Sequence, residues 1–316
     1  MELFVETRGE IMDITDLVKD LSWTDPLNDG AGYLEFSYIL DESVGLIERG
    51  APVRLSDNDQ TQGIFHGICF KVTANQNKII TVKSYDKLRY FKAKDTIVTE
   101  GDTLNTMVEK AAAFFGFQIG ENTQTGYVLP DAVNTDKSWL DIIYTGISDT
   151  LIGTENYYCL RDENGELCLR DMADLQLPIV LGDNSLAYGY DYSASIDDEF
   201  YNQIKLVSAN ESTGHADVYQ VSDSNSIEQY GLLQYYEVLD NNANKAAAKS
   251  KADNLLRLYN REVESLTLSC LGNISVRAGC SIYGDIADIG LGRRLIVRKV
   301  THKFLPVYTM SVEVMI

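Results

Sequence analysis

The chain has 316 residues, 45% of them hydrophobic, which is enough to bury a core and to make about two domains of ordinary size. Its 47 acidic residues outnumber 27 basic ones and leave a net charge of −20, which opposes a phosphate backbone; Lys245, Lys249 and Lys251 read as a solvated helix face, so no specific nucleic-acid binding is expected. No window reaches the roughly 20 apolar residues of a membrane span, and Met1-Glu2-Leu3-Phe4-Val5-Glu6 lacks the basic region of a targeting segment, so no membrane anchoring is expected either.

Residues 1–95 read as a β-rich module. Leu34 to Ile39 alternates apolar and mixed positions, Pro52 to Leu55 is a short run, Gly63 to Thr73 a longer one, and a turn at Asn75-Gln76-Asn77 leads into Ile79 to Ser84. In the insert, residues 96–180, Leu104, Met107, Val108, Ala111 and Phe115 share one helix face, with Asp102 or Thr103 as N-cap and Gly116 as stop. A second helix is expected from about Asp136, carrying Leu140, Ile143, Tyr144, Ile147 and Leu151, with Gly146 counting against it. Both stripes read as core. Asn164-Gly165 between two β-like runs marks a hairpin.

Residues 181–316 return to strands. Tyr201 to Val207 is a strand, 209–226 a Ser/Asn/Asp-rich loop, Leu232 to Val238 an aromatic run, and 243–260 an Ala-rich helix with Ala248, Ala252, Leu255, Leu256 and Tyr259 on its apolar face. Leu266, Leu268 and Cys270 alternate with Ser265, Thr267 and Ser269, and the closing strand carries Tyr308, Met310, Val312, Val314 and Ile316.

An offset of 228 residues lays 49–73 over 277–301 without a gap. Arg49/Arg277, Asp57/Asp285 and Ile68/Ile296 coincide, as do the triplets Lys71-Val72-Thr73 and Lys299-Val300-Thr301. Both copies read as short strand, acidic loop, long strand, turn and final strand. Two structurally similar β modules at opposite ends of the chain are expected.

Chemistry is sparse. His66 and His302 sit within strand patterns as structural histidines, and His215 lies in a polar loop. Cys69, Cys159, Cys168, Cys270 and Cys280 are odd in number, form no C-x-x-C pair, and are expected as free thiols of a reducing compartment. No H-E-x-x-H or G-x-S-x-G occurs. The run Asp57 to Gly63 misplaces the glycine of a calcium loop, and Gly290-Leu291-Gly292 precedes a strand-like run instead of a helix. Asp197-Asp198-Glu199 is the one dense carboxylate group and reads as a solvated loop. No catalytic, cofactor-binding or metal residue is assigned, and no enzyme is expected.

Several features together resemble one family. They are the strand Asn202-Gln203-Ile204-Lys205-Leu206-Val207 after the polar Ser195 to Tyr201, the helix ending in Asn260-Arg261-Glu262 and continuing through Leu266-Thr267-Leu268 to a Gly-bounded turn, and the close Val300-Thr301-His302-Lys303-Phe304 with Tyr308-Thr309-Met310. In this order they resemble the baseplate hub proteins of contractile phage tails and tailocins, the late-control-D or XkdQ-like group, over nearly the whole chain. The turn departs from that pattern: Gly272-Asn273-Ile274 and Ala278-Gly279 stand where Gly-Asp-Pro and Pro-Gly are usual.

The resemblance implies an α+β, mostly β fold, with two similar β-barrel-like tube modules at the two ends and helices and a β-hairpin inserted between them. It implies a homotrimer whose six modules link the hexameric tail tube to the trimeric spike, a structural part assembled in the bacterial cytoplasm and then carried in the tail particle. Tail tube protein, central spike protein, other baseplate proteins and a tape-measure protein are the implied partners, with DNA passing an acidic bore without specific binding. A tail-associated peptidoglycan hydrolase, or a cell-wall binding module suggested by 19 tyrosines, are the alternatives.

Overall fold

The computed structural model describes residues 1–41, 43–58, 63–183, 185–197, 199–210, 215–239 and 244–315. The fold is α+β and mostly β, with two similar β modules at the ends of the chain and helices and a hairpin between them. In the N-terminal module the strands run in the order Val18–Pro26, Tyr33–Ile39, Ile79–Tyr85, Gly63–Ala74, Pro52–Ser56, Glu2–Thr7 and Glu10–Asp13. Leu34, Phe36 and Tyr38 face one side of their strand, and Phe36 and Tyr38 lie opposite Val82 and Ile80, so period-two alternation buries one continuous row. Leu3, Val5, Trp23, Val53 and Leu55 complete that core.

The C-terminal module repeats the scheme: Ala187–Ser195, Val263–Leu271, Thr309–Met315, Leu291–Lys303, Ser281–Ile286 and Gln176–Gly182 follow one another across the sheet. The match extends to a backbone irregularity. Pairing of the long strand with the closing strand slips between Cys69 and Lys71 in one module and between Val297 and Lys299 in the other. The bulged residues are therefore Phe70 and Arg298, 228 positions apart, each directly before a Lys-Val-Thr triplet. A bulge adds twist and re-aims the strand beyond it, so both long strands bend at the same point. Elsewhere the copies differ. Val53 pairs Gly67, whereas Ser281 pairs Ile296, one residue off the offset, and a bulge beside Leu55 occurs in the first hairpin. The outer strand Gln176–Gly182 runs parallel to its neighbour, where Glu2–Thr7 runs antiparallel.

Between the modules, helix α1 is Leu104–Phe115, with Thr103 at its N-cap and Gly116 closing it at φ 69°. Helix α2 is Trp139–Thr154. It begins three residues after Asp136 because Ser138 caps it, accepting from the Asp141 amide while the Asp141 carboxylate accepts from Ser138. Gly146 fits here because a side chain would press on Leu104 and Leu129. The hairpin Tyr158–Glu163 and Glu166–Asp171 turns at Asn164 (φ 53°) and Gly165 (φ 95°), both left-handed as the sequence requires.

The described residues divide into two compact units, Met1–Leu151 with Glu155–Asp191 and Leu266–Ile316 as one, and Ile152–Thr154 with Tyr192–Ser265 as the other. The second unit is a three-stranded sheet in the order His215–Ser222, Gln203–Asn210, Gln234–Leu239, with a short helix α3, Ser224–Tyr230, and the Ala-rich helix α4, Lys245–Tyr259. Ile204, Leu206, Ala252 and Leu255 form its core. The reading of 209–226 as a loop is corrected: His215–Ser222 pairs in full register with Gln203–Asn210, and Asp223 caps α3. Tyr219 and Val221 pack on the core, which outweighs the polar composition. Helix α4 is capped by Asn244; residue 243, expected at its start, lies outside the described residues, as does Ile316 of the closing strand.

Candidate assembly interface

The two β modules share an edge. Beyond its bulge, Leu291–Lys303 pairs on one side with Thr309–Met315 and on the other with Val18–Pro26, from Lys299 opposite Pro26 to Lys303 opposite Ser22. Thr24 and Thr301 hydroxyls meet at 3.0 Å across this joint, and the Trp23 ring stacks on His302 at 5.2 Å and 16°. His302 is fully buried. Its Nε2 lies 3.0 Å from the Val276 carbonyl and its Nδ1 3.0 Å from the Tyr308 hydroxyl, and burial holds its pKa down at about 4, so the ring is neutral.

An ion pair lies against the same stack. Arg277 donates from Nε to Asp25 Oδ2 at 2.9 Å and from Nη2 to Asp25 Oδ1 at 3.2 Å, donates to the Asp162 carbonyl at 3.0 Å, and sits over the Trp23 ring at 5.0 Å. Burial alone would lower its basicity, but the Asp25 charge and hydrogen bonds outweigh that and raise it. Asp25, 3% exposed, also accepts from the Ala278 amide at 3.2 Å. Two further carboxylates lie near. Asp86 accepts from the Gly32 and Leu88 amides at 2.7 and 3.0 Å, and burial, with the charges of Asp162 and Asp25, raises its pKa well above the carboxylate range. Burial pushes Asp162 up to about 6. The ion pair and the apolar faces select the same register: a one-residue slip would turn Leu21 and Trp23 to the other face and leave buried Asp25 without Arg277.

The turn before this joint, where the sequence departs from Gly-Asp-Pro and Pro-Gly, closes through Val276 N to Asn273 O at 3.1 Å and Cys280 N to Arg277 O at 3.2 Å, with Gly279 at φ 84°. It therefore delivers Arg277 and the Ala278 amide to Asp25 without a proline. This site escaped the sequence reading because Asp25 and Arg277 are 252 residues apart; the one signal was Arg277 itself, shared with Arg49 in the repeat.

Of the other residues singled out in the sequence, Cys159 and Cys280 share a small buried apolar cluster with Met172 and Leu175, and the rest do not gather. His66 is half-buried in Gly63–Ala74, its pKa lowered by burial and then by Arg54 and Lys87. His215 is exposed at the start of a strand. All five cysteines are buried and free, and burial pushes Cys69 up to about 11 and Cys270 to about 12. Gly290 ends a short 3-10 turn and Leu291 opens a strand. Asp197 and Glu199 are exposed, while Asp198 and residues 59–62 of the Asp57 to Gly63 run lie outside the described residues. Among the described residues no group of three or more His, Cys, Asp or Glu could hold a metal, and no helix is long and apolar enough to cross a membrane.

Comparison with known proteins places this architecture. The chain is 27% identical over 257 residues to the phage-like element PBSX protein XkdQ of Bacillus subtilis strain 168, covering 79% of this chain and 77% of that one. Its fold is similar to that of the 43 kDa tail protein of prophage MuSo2 from Shewanella oneidensis, with a TM-score of 0.75 at 12% identity over 100% of this chain and 98% of the other. It is similar also to the E. coli c3393 protein, a type VI secretion component described as structurally similar to the T4 tail proteins gp27 and gp5, with a TM-score of 0.56 at 9% identity over 98% and 76% of the two chains. The family model described as YQBQ-like matches residues 21–315, and the chain belongs to that family.

Proposed function

We propose that this chain is the structural, non-enzymatic baseplate hub of a contractile injection tail. Three copies form a pseudo-six-fold ring that joins a hexameric tail tube to a trimeric spike, with other baseplate proteins around it and a tape-measure protein in the bore. The observation that carries this reading is the repeated module: one chain holds two β modules with the same bulge before the same triplet, joined edge to edge in one continuous sheet. A symmetry adaptor needs two quasi-equivalent modules per chain, so that three-fold and six-fold partners both find matching surfaces. XkdQ, the MuSo2 tail protein and the similarity of c3393 to T4 tail proteins support the same role. Residues 1–95 supply one ring module, and Gln176–Gly182, Ala187–Ser195 and the strands from Val263 onward supply the other, with the helices and hairpin of 96–175 between them. A net charge of −20 suits a conduit to which DNA or another polyanion does not adhere. The particle is assembled in the bacterial cytoplasm and the protein then belongs to the tail.

The test is the native mass of the purified chain, alone and mixed with its spike protein. A trimer in either sample is expected. A monomer in both overturns the hub.

A further inference from the structure

We infer that the edges of Lys71–Ala74 and Ala187–Ser195 are the two halves of the contact between copies of this chain, repeating between subunits the joint that Lys299–Lys303 and Val18–Pro26 make within one. The inference rests on the ring reading above and specifies its subunit contact.

Lys71–Ala74 is the counterpart of Lys299 and the residues that follow it. Each segment follows a bulge and pairs with a closing strand, but pairing with Pro52–Ser56 stops at Ile68. Among the described residues no strand covers the other side of Lys71–Ala74, where Lys299–Lys303 is covered by Val18–Pro26. The counterpart of Val18–Pro26 is in turn Ala187–Ser195. Each lies two strands beyond the closing strand of its module, and among the described residues Ala187–Ser195 ends the sheet. One chain thus carries one joint made and one of each half left over, the condition for a head-to-tail ring.

The register follows from the pairings. Leu21 lies opposite Phe36, the middle of the buried trio Leu34, Phe36 and Tyr38. Leu266, Leu268 and Cys270 form the matching trio. A Cβ on Gly189 would lie 3.9 Å from that of Ser269, which sets Tyr190 opposite Leu268. Tyr190 is therefore the counterpart of Leu21, and counting along the strand makes Tyr192 that of Trp23 and Ser193 that of Thr24. Leu21 and Trp23 are 6% and 2% exposed in the made joint, whereas Tyr190 and Tyr192 are 37% and 40% exposed, and Tyr188 on the same face is 66% exposed. A row of tyrosines on an edge strand, on the face its neighbour buries, is a surface that a second copy would cover. Thr73, 228 before Thr301, is then opposite Ser193 of the partner subunit, as Thr301 is opposite Thr24.

A Thr73→Cys/Ser193→Cys variant tests this by oxidation and non-reducing electrophoresis, because the five native cysteines are buried. A covalent trimer is expected, at least tenfold enriched over either single variant, while Thr24→Cys/Thr301→Cys, built on the 3.0 Å hydroxyl pair, closes within one chain. A trimeric native mass without the covalent link, in a preparation where the Thr24/Thr301 control closes, overturns the inference and leaves the ring standing. A monomeric native mass overturns both. Tyr190→Glu/Tyr192→Glu, at positions already exposed in the single chain, is expected to raise the subunit dissociation constant at least tenfold with an unchanged circular dichroism spectrum; an unchanged constant also overturns it.

Discussion

Arg277→Met asks most directly whether the buried ion pair fixes the joint. The substitution keeps much of the side-chain volume and removes the two hydrogen bonds to Asp25, at 2.9 and 3.2 Å, and the cation over Trp23. Asp25, 3% exposed, keeps the Ala278 amide at 3.2 Å as a donor but has lost its counter-ion. Breaking one half of a buried pair costs about 3–5 kcal/mol, most of it the uncompensated charge. Adding Asp25→Asn removes that charge while keeping the shape, so the double variant is expected to recover at least about 2 kcal/mol over Arg277→Met. Urea unfolding at pH 7, followed by tryptophan fluorescence, reads the right unit, since both tryptophans, Trp23 and Trp139, lie in the first one. A loss below about 1 kcal/mol for Arg277→Met, or additive costs in the double variant, would refute the claim that the pair is coupled and counts for stability.

Three further outcomes are expected. His302 has a folded pKa of about 4 against an ordinary 6.5, so as pH falls the unfolded chain takes up the proton first; its contribution, intact above about 6.5, is lost by about pH 4, at most about 3 kcal/mol. The stability difference between the natural chain and His302→Phe should therefore shift against the natural chain across that window, and a pH-independent difference in urea titrations counts against it. Asp162, raised to about 6 by burial, acts in the opposite sense, the folded form binding its proton first, so stability falls as pH rises from about 4 to 6; Asp162→Asn is expected to remove that slope. Gly279→Ala forces a Cβ into a φ of 84° and within 2.8 Å of Cys159 Sγ, and is expected to lower stability by about 1–3 kcal/mol in thermal melts; an unchanged midpoint would show the turn to be adaptable.

Local physics made much of this protein legible. Asn164-Gly165 specified a two-residue turn because both positions need positive φ, and structure gives 53° and 95°. The stripes of α1, α2 and α4 fixed buried faces through a 3.6-residue period. The triplets Lys71-Val72-Thr73 and Lys299-Val300-Thr301 marked two strands that prove equivalent down to the preceding bulge. The family was legible too, from the order of several moderately specific segments.

What the tertiary structure decided has no local signature. Val18–Pro26, Val-Lys-Asp-Leu-Ser-Trp-Thr-Asp-Pro, lacks clean alternation, and it is a strand because it lies between two others, burying Leu21 and Trp23 while Asp25 meets an arginine 252 residues away. The separate core of Tyr192–Ser265 was hidden likewise: His215–Ser222 is polar and exposed along most of its length and is held by the strand beside it. Period and turn chemistry act between neighbours in sequence, so a single chain determines its helices, hairpins and repeated module by itself. Which edges meet depends on backbone groups that look alike everywhere along a strand, and only packing and one satisfied ion pair choose among them.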